Sequence, residues 1–213
     1  MLTAGTDHYD YKVEGTDNPV NAYRLSYIIN QYKMNADFSY FLNNKHKIAF
    51  GLSSLYYNIR SGTFIPLGKE SLVIADTIEA EQALEIALYI SDQYNISPKL
   101  ALEAGVRYSL FNYFGPKNIV TYAPGLPRRE SNITGTNFFP SGKVIKTYGS
   151  PEYRASARYI LSENTSIKAS YNTLQQYIHL ISNTTTIAPT DVWKLSDPNI
   201  KPQSGTQVSL GLY

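Results

Sequence analysis

The chain has 213 residues, with 19 Lys and Arg against 17 Asp and Glu for a formal net charge of +2; only 17% of it is charged, 19 positions are Tyr and none is Cys. Such a balance, with Arg128-Arg129 as its one basic pair, excludes a nucleic-acid groove, and the lack of Cys excludes a disulfide framework and a thiol nucleophile. No run approaches the roughly 18 apolar residues of a membrane helix, so of the membrane architectures only a β-barrel remains.

Residues 1–21, with Gly5, Asp7, Gly15, Asp17, Asn18 and Pro19, read as the distal part of a surface loop. Residues 1–5 have neither the positive nor the apolar region of a signal peptide, so the expectation is an interior piece of a longer protein. From Tyr23 to about Leu42 runs a long strand. Met34, Ala36, Phe38 and Tyr40 share one face and Lys33, Asn35, Asp37 and Ser39 the other, while Tyr23, Leu25, Tyr27 and Ile29 are out of phase. A bulge near Asn30-Gln31 would reconcile the two halves. Asn43-Asn44-Lys45-His46 is a short turn, and a second strand follows to about Arg60.

Residues 61–82 read as a long connection. In residues 83–114, Leu84, Ile86, Leu88 and Ile90 alternate with polar or small residues up to a turn at Asn95-Ile96-Ser97-Pro98. After it, Leu100, Leu102, Ala104, Val106, Tyr108 and Leu110 alternate with Ala101, Glu103, Gly105, Arg107 and Ser109. Each arm is long enough to cross a bilayer at about 9 to 11 tilted residues. Helix propensity around residues 78–90 competes, and any short helix is expected within Glu79 to Gln82. Residues 115–150 read as a longer loop, then strands follow through Tyr153 to Leu161 and Ile167 to Tyr171 about a turn at Ser162-Glu163-Asn164-Thr165. A third long connection covers residues 182–202 before a last strand with Val208, Leu210 and Leu212.

The fold class expected is all-β, an antiparallel up-and-down meander of about seven long strands forming a segment of a transmembrane β-barrel. Short turns alternate with long loops, as periplasmic turns and extracellular loops do in outer-membrane barrels. Tyr40, Phe41, Tyr94 and Tyr159 beside the short turns and Tyr56, Tyr57, Tyr113 and Phe114 beside the long loops suit two aromatic girdles.

Ser166-Ile167-Lys168-Ala169-Ser170-Tyr171-Asn172, Gln175-Gln176-Tyr177-Ile178-His179-Leu180-Ile181-Ser182-Asn183-Thr184-Thr185 and Ala188-Pro189-Thr190-Asp191-Val192-Trp193 resemble the barrel of TonB-dependent outer-membrane receptors of Bacteroidetes. So do Ile200-Lys201-Pro202-Gln203, the stretch from Gln31 through Tyr40 and that from Gly105 through Phe111. The resemblance implies a barrel of about 22 strands around a plug domain of the same parent chain, in the outer membrane of a Gram-negative cell. It further implies energised uptake of a scarce, unknown ligand through the TonB complex, which would engage an N-terminal part outside residues 1–213. Partners would be outer-membrane lipid, the plug, TonB and the ligand, with no cofactor and no nucleic acid.

His8, His46 and His179 are scattered and without metal-ligand spacing, and no G-x-S-x-G, P-loop or G-x-G-x-x-G occurs, so neither metal nor catalytic residues are assigned and no enzyme is expected. Glu79, Glu81 and Glu85 read as a solvated face. Asn-x-Ser/Thr triplets at Asn95, Asn132, Asn164 and Asn183 fit chance in such a composition. Lys33, Asp37, Glu103, Arg107, Arg158 and Lys168 mix both signs on the inward face, suiting charge pairs within the wall or with a plug. Ligand contacts are expected on the loops, at Tyr122, Arg128, Arg129, Asp191 and Trp193, where aromatic and guanidinium groups suit sugars or anionic chelates. Two other readings stay open: a soluble all-β carbohydrate-binding module, and a passive porin or adhesin barrel.

Overall fold

A computed structural model describes residues 1–182 and 191–213. Asn183, together with the other family-like positions among residues 183–190, lies outside the described residues. In chain order the strands are β1 (Leu2–Gly15), β2 (Tyr23–Phe41), β3 (His46–Pro66), β4 (Asp76–Thr77), β5 (Glu81–Asn95), β6 (Leu100–Phe114), β7 (Lys117–Tyr122), β8 (Ile133–Phe139), β9 (Val144–Ser162), β10 (Thr165–Gln176), β11 (Ile178–Ile181), β12 (Val192–Leu195) and β13 (Gln203–Leu212). One antiparallel sheet in the order β1-β2-β3-β5-β6-β9-β10-β13, with β4 flanking β3, curls into a half-barrel. β7-β8 and β11-β12 are separate two-stranded ribbons.

Period-two patterning decides which side of each strand faces out. On β5, Ile86, Leu88 and Ile90 are exposed while Glu81, Ala83, Glu85 and Ala87 in the opposite phase are buried, and on β6 Leu102, Val106, Tyr108 and Leu110 are exposed opposite half-buried Glu103, Gly105 and Arg107. Register joins these faces across strands. Phe38, Phe50, Ile90, Val106 and Tyr153 form one row of the convex face, and Asp37, Gly51, Tyr89, Arg107 and Glu152 the neighbouring row of the concave one.

Residues 1–21 are not a loop. Leu2–Gly15 pairs with β2 from Ala36 to Tyr23, adding an eighth long strand, and only Pro19–Asn21 forms a short turn of 3-10 helix. Its glycines and acidic residues conceal an alternation that cross-strand pairs complete: Asp7 sits 2.7 Å from Lys33 and Glu14 2.6 Å from Arg24. The loop expected over residues 115–150 contains β7 and β8, and β9 already begins at Val144. Likewise β3 continues to Pro66, and the helix propensity that competes around residues 78–90 gives no helix, β5 beginning already at Glu81. Pairing with β3 from Glu81 onward overrides local helix propensity.

No bulge occurs at Asn30-Gln31. The register instead shifts where Ser26 pairs with Thr63 and Ile28 with Arg60, so the additional residue lies on β3 at Ser61-Gly62, opposite Tyr27. β2 therefore keeps one phase, and Leu25, Tyr27 and Ile29 face inward as Lys33 and Asp37 do. What changes along the strand is the cover: near the long-loop end the concave face is roofed by loops and becomes apolar.

Candidate functional site

The three short turns, at residues 42–45, 96–99 and 163–164, lie at one end of the sheet, and the long connections at the other. The second and third of these connections fold back over the concave wall. Tyr57, Ile59, Ala83, Phe111 and Tyr113 of the wall form one core with Ile119 of β7, and with Tyr177 and Leu195 of the third connection. Tyr177 stacks on Phe111 at 4.6 Å between centroids and 3° between planes, with its hydroxyl 2.7 Å from Ser109 Oγ. Tyr57 and Tyr113 thus belong to this core and not to an aromatic girdle; on the outward face Tyr56 faces Tyr32 at 6.2 Å.

Glu81 ties the connections together. Its side chain is fully buried; Oε2 accepts the Leu195 amide at 2.8 Å, and Oε1 lies 3.4 Å from Lys117 Nζ and 3.3 Å from Lys194 Nζ. One wall carboxylate therefore meets a lysine from each of two loops. Lys117 also donates to the Glu79 carbonyl at 2.9 Å, and Lys194 lies 3.7 Å from Asp197. The solvated acidic face expected from the sequence holds only for Glu79. Glu81 and Glu85 take the inward phase of β5, and Glu85 accepts from Arg107 at 2.7 Å and from Tyr57 at 3.1 Å.

Loop-to-loop bonds complete the mouth. Tyr148 donates to the Asp197 carbonyl at 2.7 Å, Asp197 Oδ1 caps the Asn199 and Ile200 amides at 2.7 Å each, and Asn199 Nδ2 reaches the Val120 carbonyl at 3.2 Å. Buried His179 pairs Nε2 with Ser196 Oγ at 2.8 Å; burial holds its pKa below the ordinary value, against the opposing pull of Asp197. Burial raises the Glu79 carboxyl, but hydrogen bonds from Asn118 and the charge of Lys117 outweigh it and leave the pKa low.

Of the loop residues singled out in the sequence, Arg128 donates to the Asn199 carbonyl, linking the second and third connections. Arg129 is exposed beside it and Tyr122 is half-buried at the end of β7. Asp191 is 7% exposed and Trp193 packs against the core from its place opposite Leu180, so both are turned inward. The structure therefore brings Arg128 and the third connection together, and it leaves Arg129 exposed while Asp191 is buried. The sequence reading missed Glu81, Lys117, Lys194 and Tyr177; the inward phase of Glu81 was a readable signal, the meeting of two loops was not.

Lower on the concave wall, a recess of about 370 Å³ lies among Asp37, Tyr89, Arg107, Glu152, Arg154 and Thr173. Arg107 bridges Glu85 and Glu152 at 2.7 and 2.6 Å, and Tyr89 donates to Asp37 at 2.6 Å. It is a polar wall with both signs of charge and its own pairs satisfied. Among the described residues no group of three His, Cys, Asp or Glu side chains is placed to hold a metal ion.

The family model "TonB dependent receptor-like, beta-barrel" matches residues 2–213. Among solved structures, the closed form of the ferric-catecholate import receptor Fiu from Escherichia coli K12 aligns at TM-score 0.49 and 16% identity, over 94% of this chain and 32% of that one. The Serratia marcescens hemophore receptor HasR, in complex with hemophore HasA and heme, aligns at 0.46 and 13%, over 99% of this chain and 36% of that one. The chain thus spans about a third of the length of these receptors. Among curated proteins none matches significantly.

Proposed function

Because the chain belongs to the TonB-dependent receptor β-barrel family, whose proteins reside in the outer membrane of Gram-negative bacteria, we propose that it forms part of the wall and the extracellular loops of an energised outer-membrane uptake receptor. The observation that carries this reading is the division of one sheet into an apolar convex face and a polar concave face, with long loops folded in at one end only. Water-soluble sandwiches bury their apolar face; here it is the open one.

The outward face also changes where a membrane would end. From the Tyr32-Tyr56-Leu84 row to the row of Tyr40 and Ile48 it is mostly apolar, whereas above it stand Asn30, Asn58 and Gln82, then Arg60. Tyr32 to Tyr40 rises about 27 Å along the strand, or about 21 Å in height at a tilt near 40°, close to the roughly 25 Å band of such barrels. The short turns are then periplasmic and the long connections extracellular.

In this reading the polar concave wall packs against a plug domain of the same parent protein, and transport is driven through TonB from the inner membrane. The resemblance carried by the segments within residues 166–203, with those from Gln31 through Tyr40 and Gly105 through Phe111, supports reading the chain as part of a Bacteroidetes-type receptor. Tyr122, Arg128 and Arg129 meet the ligand from outside, while Asp191 and Trp193 would meet it only from the luminal side. The wall supplies no catalysis. Family membership favours this reading over a carbohydrate-binding module or a passive porin.

Deleting the gene and measuring uptake of radiolabelled candidates, with ferric catecholates, heme and oligosaccharides in the panel, tests the proposal. Uptake of one candidate is expected to disappear in the deletion strain and, in the parent strain, when the proton-motive force is collapsed. Uptake that survives collapse would identify a passive pore.

A further inference from the structure

Between the Tyr32 row and the short turns, Asp92 is the one formally charged side chain that the described strands place on the convex face. It stands in a row with Tyr40, Ile48, Ala104 and Ala155, at the level of the lower aromatic residues. A charged group on a lipid-facing surface needs a partner. His46 supplies half of one: its Nδ1 lies 2.7 Å from Asp92 Oδ2, and its ring stacks on Tyr94 at 4.2 Å and 6°. Oδ1 is buried and has no hydrogen-bond partner, so the acceptor capacity that the 41%-exposed side chain offers at the surface is that of Oδ2, which the His46 ring only partly fills.

The surface beside it is hollow. Small Ala104 leaves a shallow groove of about 390 Å³ between Ile48, Ile90 and Val106, with Asp92 in its lining. Ile90 and Val106 also border a second, almost wholly apolar, shallow hollow of about 450 Å³ lined by Phe38, Phe50, Leu88 and Tyr108. A polar end at the periplasmic edge thus adjoins an apolar, open trough toward the middle of the band.

We propose that this groove holds one membrane phospholipid with an amine-bearing headgroup, its acyl chain along the groove and its ammonium on the Asp92 carboxylate. Charge complementarity selects this occupant: the underfilled anion requires a cation that donates hydrogen bonds, which an ethanolamine-type headgroup carries and a glycerol-type headgroup lacks. Exposed Lys45, on the turn adjoining His46, places a cation at the same edge for the phosphate. His46 and Tyr94 hold the carboxylate in place. The site rests on the reading that the convex face meets lipid.

The test is native mass spectrometry of the complete barrel containing this chain, released from detergent with equal amounts of phosphatidylethanolamine and phosphatidylglycerol. The wild type is expected to retain the ethanolamine lipid several-fold over the glycerol lipid, and Asp92→Asn, which keeps the shape, to bring the ratio near one. Ala104→Phe, which fills the groove, should lower retention of both lipids. Equal retention by a wild-type barrel that partitions into membranes and migrates as a folded, heat-modifiable species overturns the site alone. A ratio unchanged in Asp92→Asn does the same. If the wild type does not partition into membranes, the wall reading falls and the site falls with it.

Discussion

At Glu81 a single buried carboxylate lies against two lysines that arrive on different loops, so its removal takes a shared charge partner from both at once, leaving Lys117 to Glu79 and Lys194 to Asp197. Breaking a buried ion pair from one side typically costs about 3 to 5 kcal/mol. Glu81→Ala is therefore expected to raise hydrogen exchange through residues 192–197 strongly, with the lower half of β5 unchanged; unaltered exchange would mean that the apolar core holds the loop without the latch. His179 adds a pH dependence whose sign follows from burial. Its folded pKa lies below the ordinary value of about 6.5, so the docked loop has its full stability above that pH. As pH falls through about 6.5 toward the depressed folded value, protonation favours the undocked state. Glu79, also depressed, contributes above the ordinary carboxylate value and loses its contribution only in the more acidic window near and below pH 4. Proteolytic protection of residues 177–182 and 191–202 should thus weaken between about pH 7 and 5 in the wild type and much less in His179→Phe. Equal weakening in both would assign the effect to another group.

Among the elements, the third connection is held by aromatic packing as much as by charge. Tyr177 is 2% exposed, stacked on Phe111 and hydrogen-bonded to Ser109. Truncating a buried aromatic costs about 3 to 5 kcal/mol, a lost hydrogen bond about 1. Tyr177→Ala should therefore release the β11-β12 ribbon to exchange while Tyr177→Phe largely retains it, and similar release in both would put the hydroxyl ahead of the ring. The strands of this wall were legible because alternation runs regularly through the middle of β5, β6, β9 and β10, away from the register shifts at Phe114 and Thr165, and one face had to be apolar. β1 was not, since an edge strand with Gly5, Asp7 and Asp10 has little apolar pattern, and its order comes from pairing with β2. The phase of upper β2 misled for a different reason: Leu25, Tyr27 and Ile29 are apolar on the inner face because loops distant in sequence cover them. Local pattern records how apolar a position's surroundings are, not which element supplies them. For that reason Arg128 could be singled out as a loop residue while its link to Asn199, 71 positions away, could not.

On the scale of the whole molecule, the decisive property is which face meets hydrocarbon and how far the band extends. Leu88 is 63% exposed and stands in the row with Ala36, Leu52 and Tyr108, midway between the Tyr32 and Tyr40 rows. Arginine there must be dehydrated by lipid, at about 2 to 4 kcal/mol near the midplane. Ser156 lies on the concave face beside Glu103, where an introduced guanidinium keeps water and gains a carboxylate neighbour. Gly105 is unsuitable as that control, because a Cβ there would come within 2.6 Å of the Ser91 Cβ and disturb the sheet whatever its charge. Asn58 is outward but above the Tyr32-Tyr56 row, where the penalty falls to about 0 to 1 kcal/mol. Urea unfolding of the complete barrel in vesicles, followed by heat-modifiable migration, should accordingly order the losses as Leu88→Arg well above Asn58→Arg and Ser156→Arg. Equal losses at Leu88 and Ser156 would contradict the assignment of the faces. A loss at Asn58 matching that at Leu88 would instead keep the faces and move the membrane boundary toward the loops, bringing Arg60 to the lipid edge and the inward-folded loops to the depth of the band.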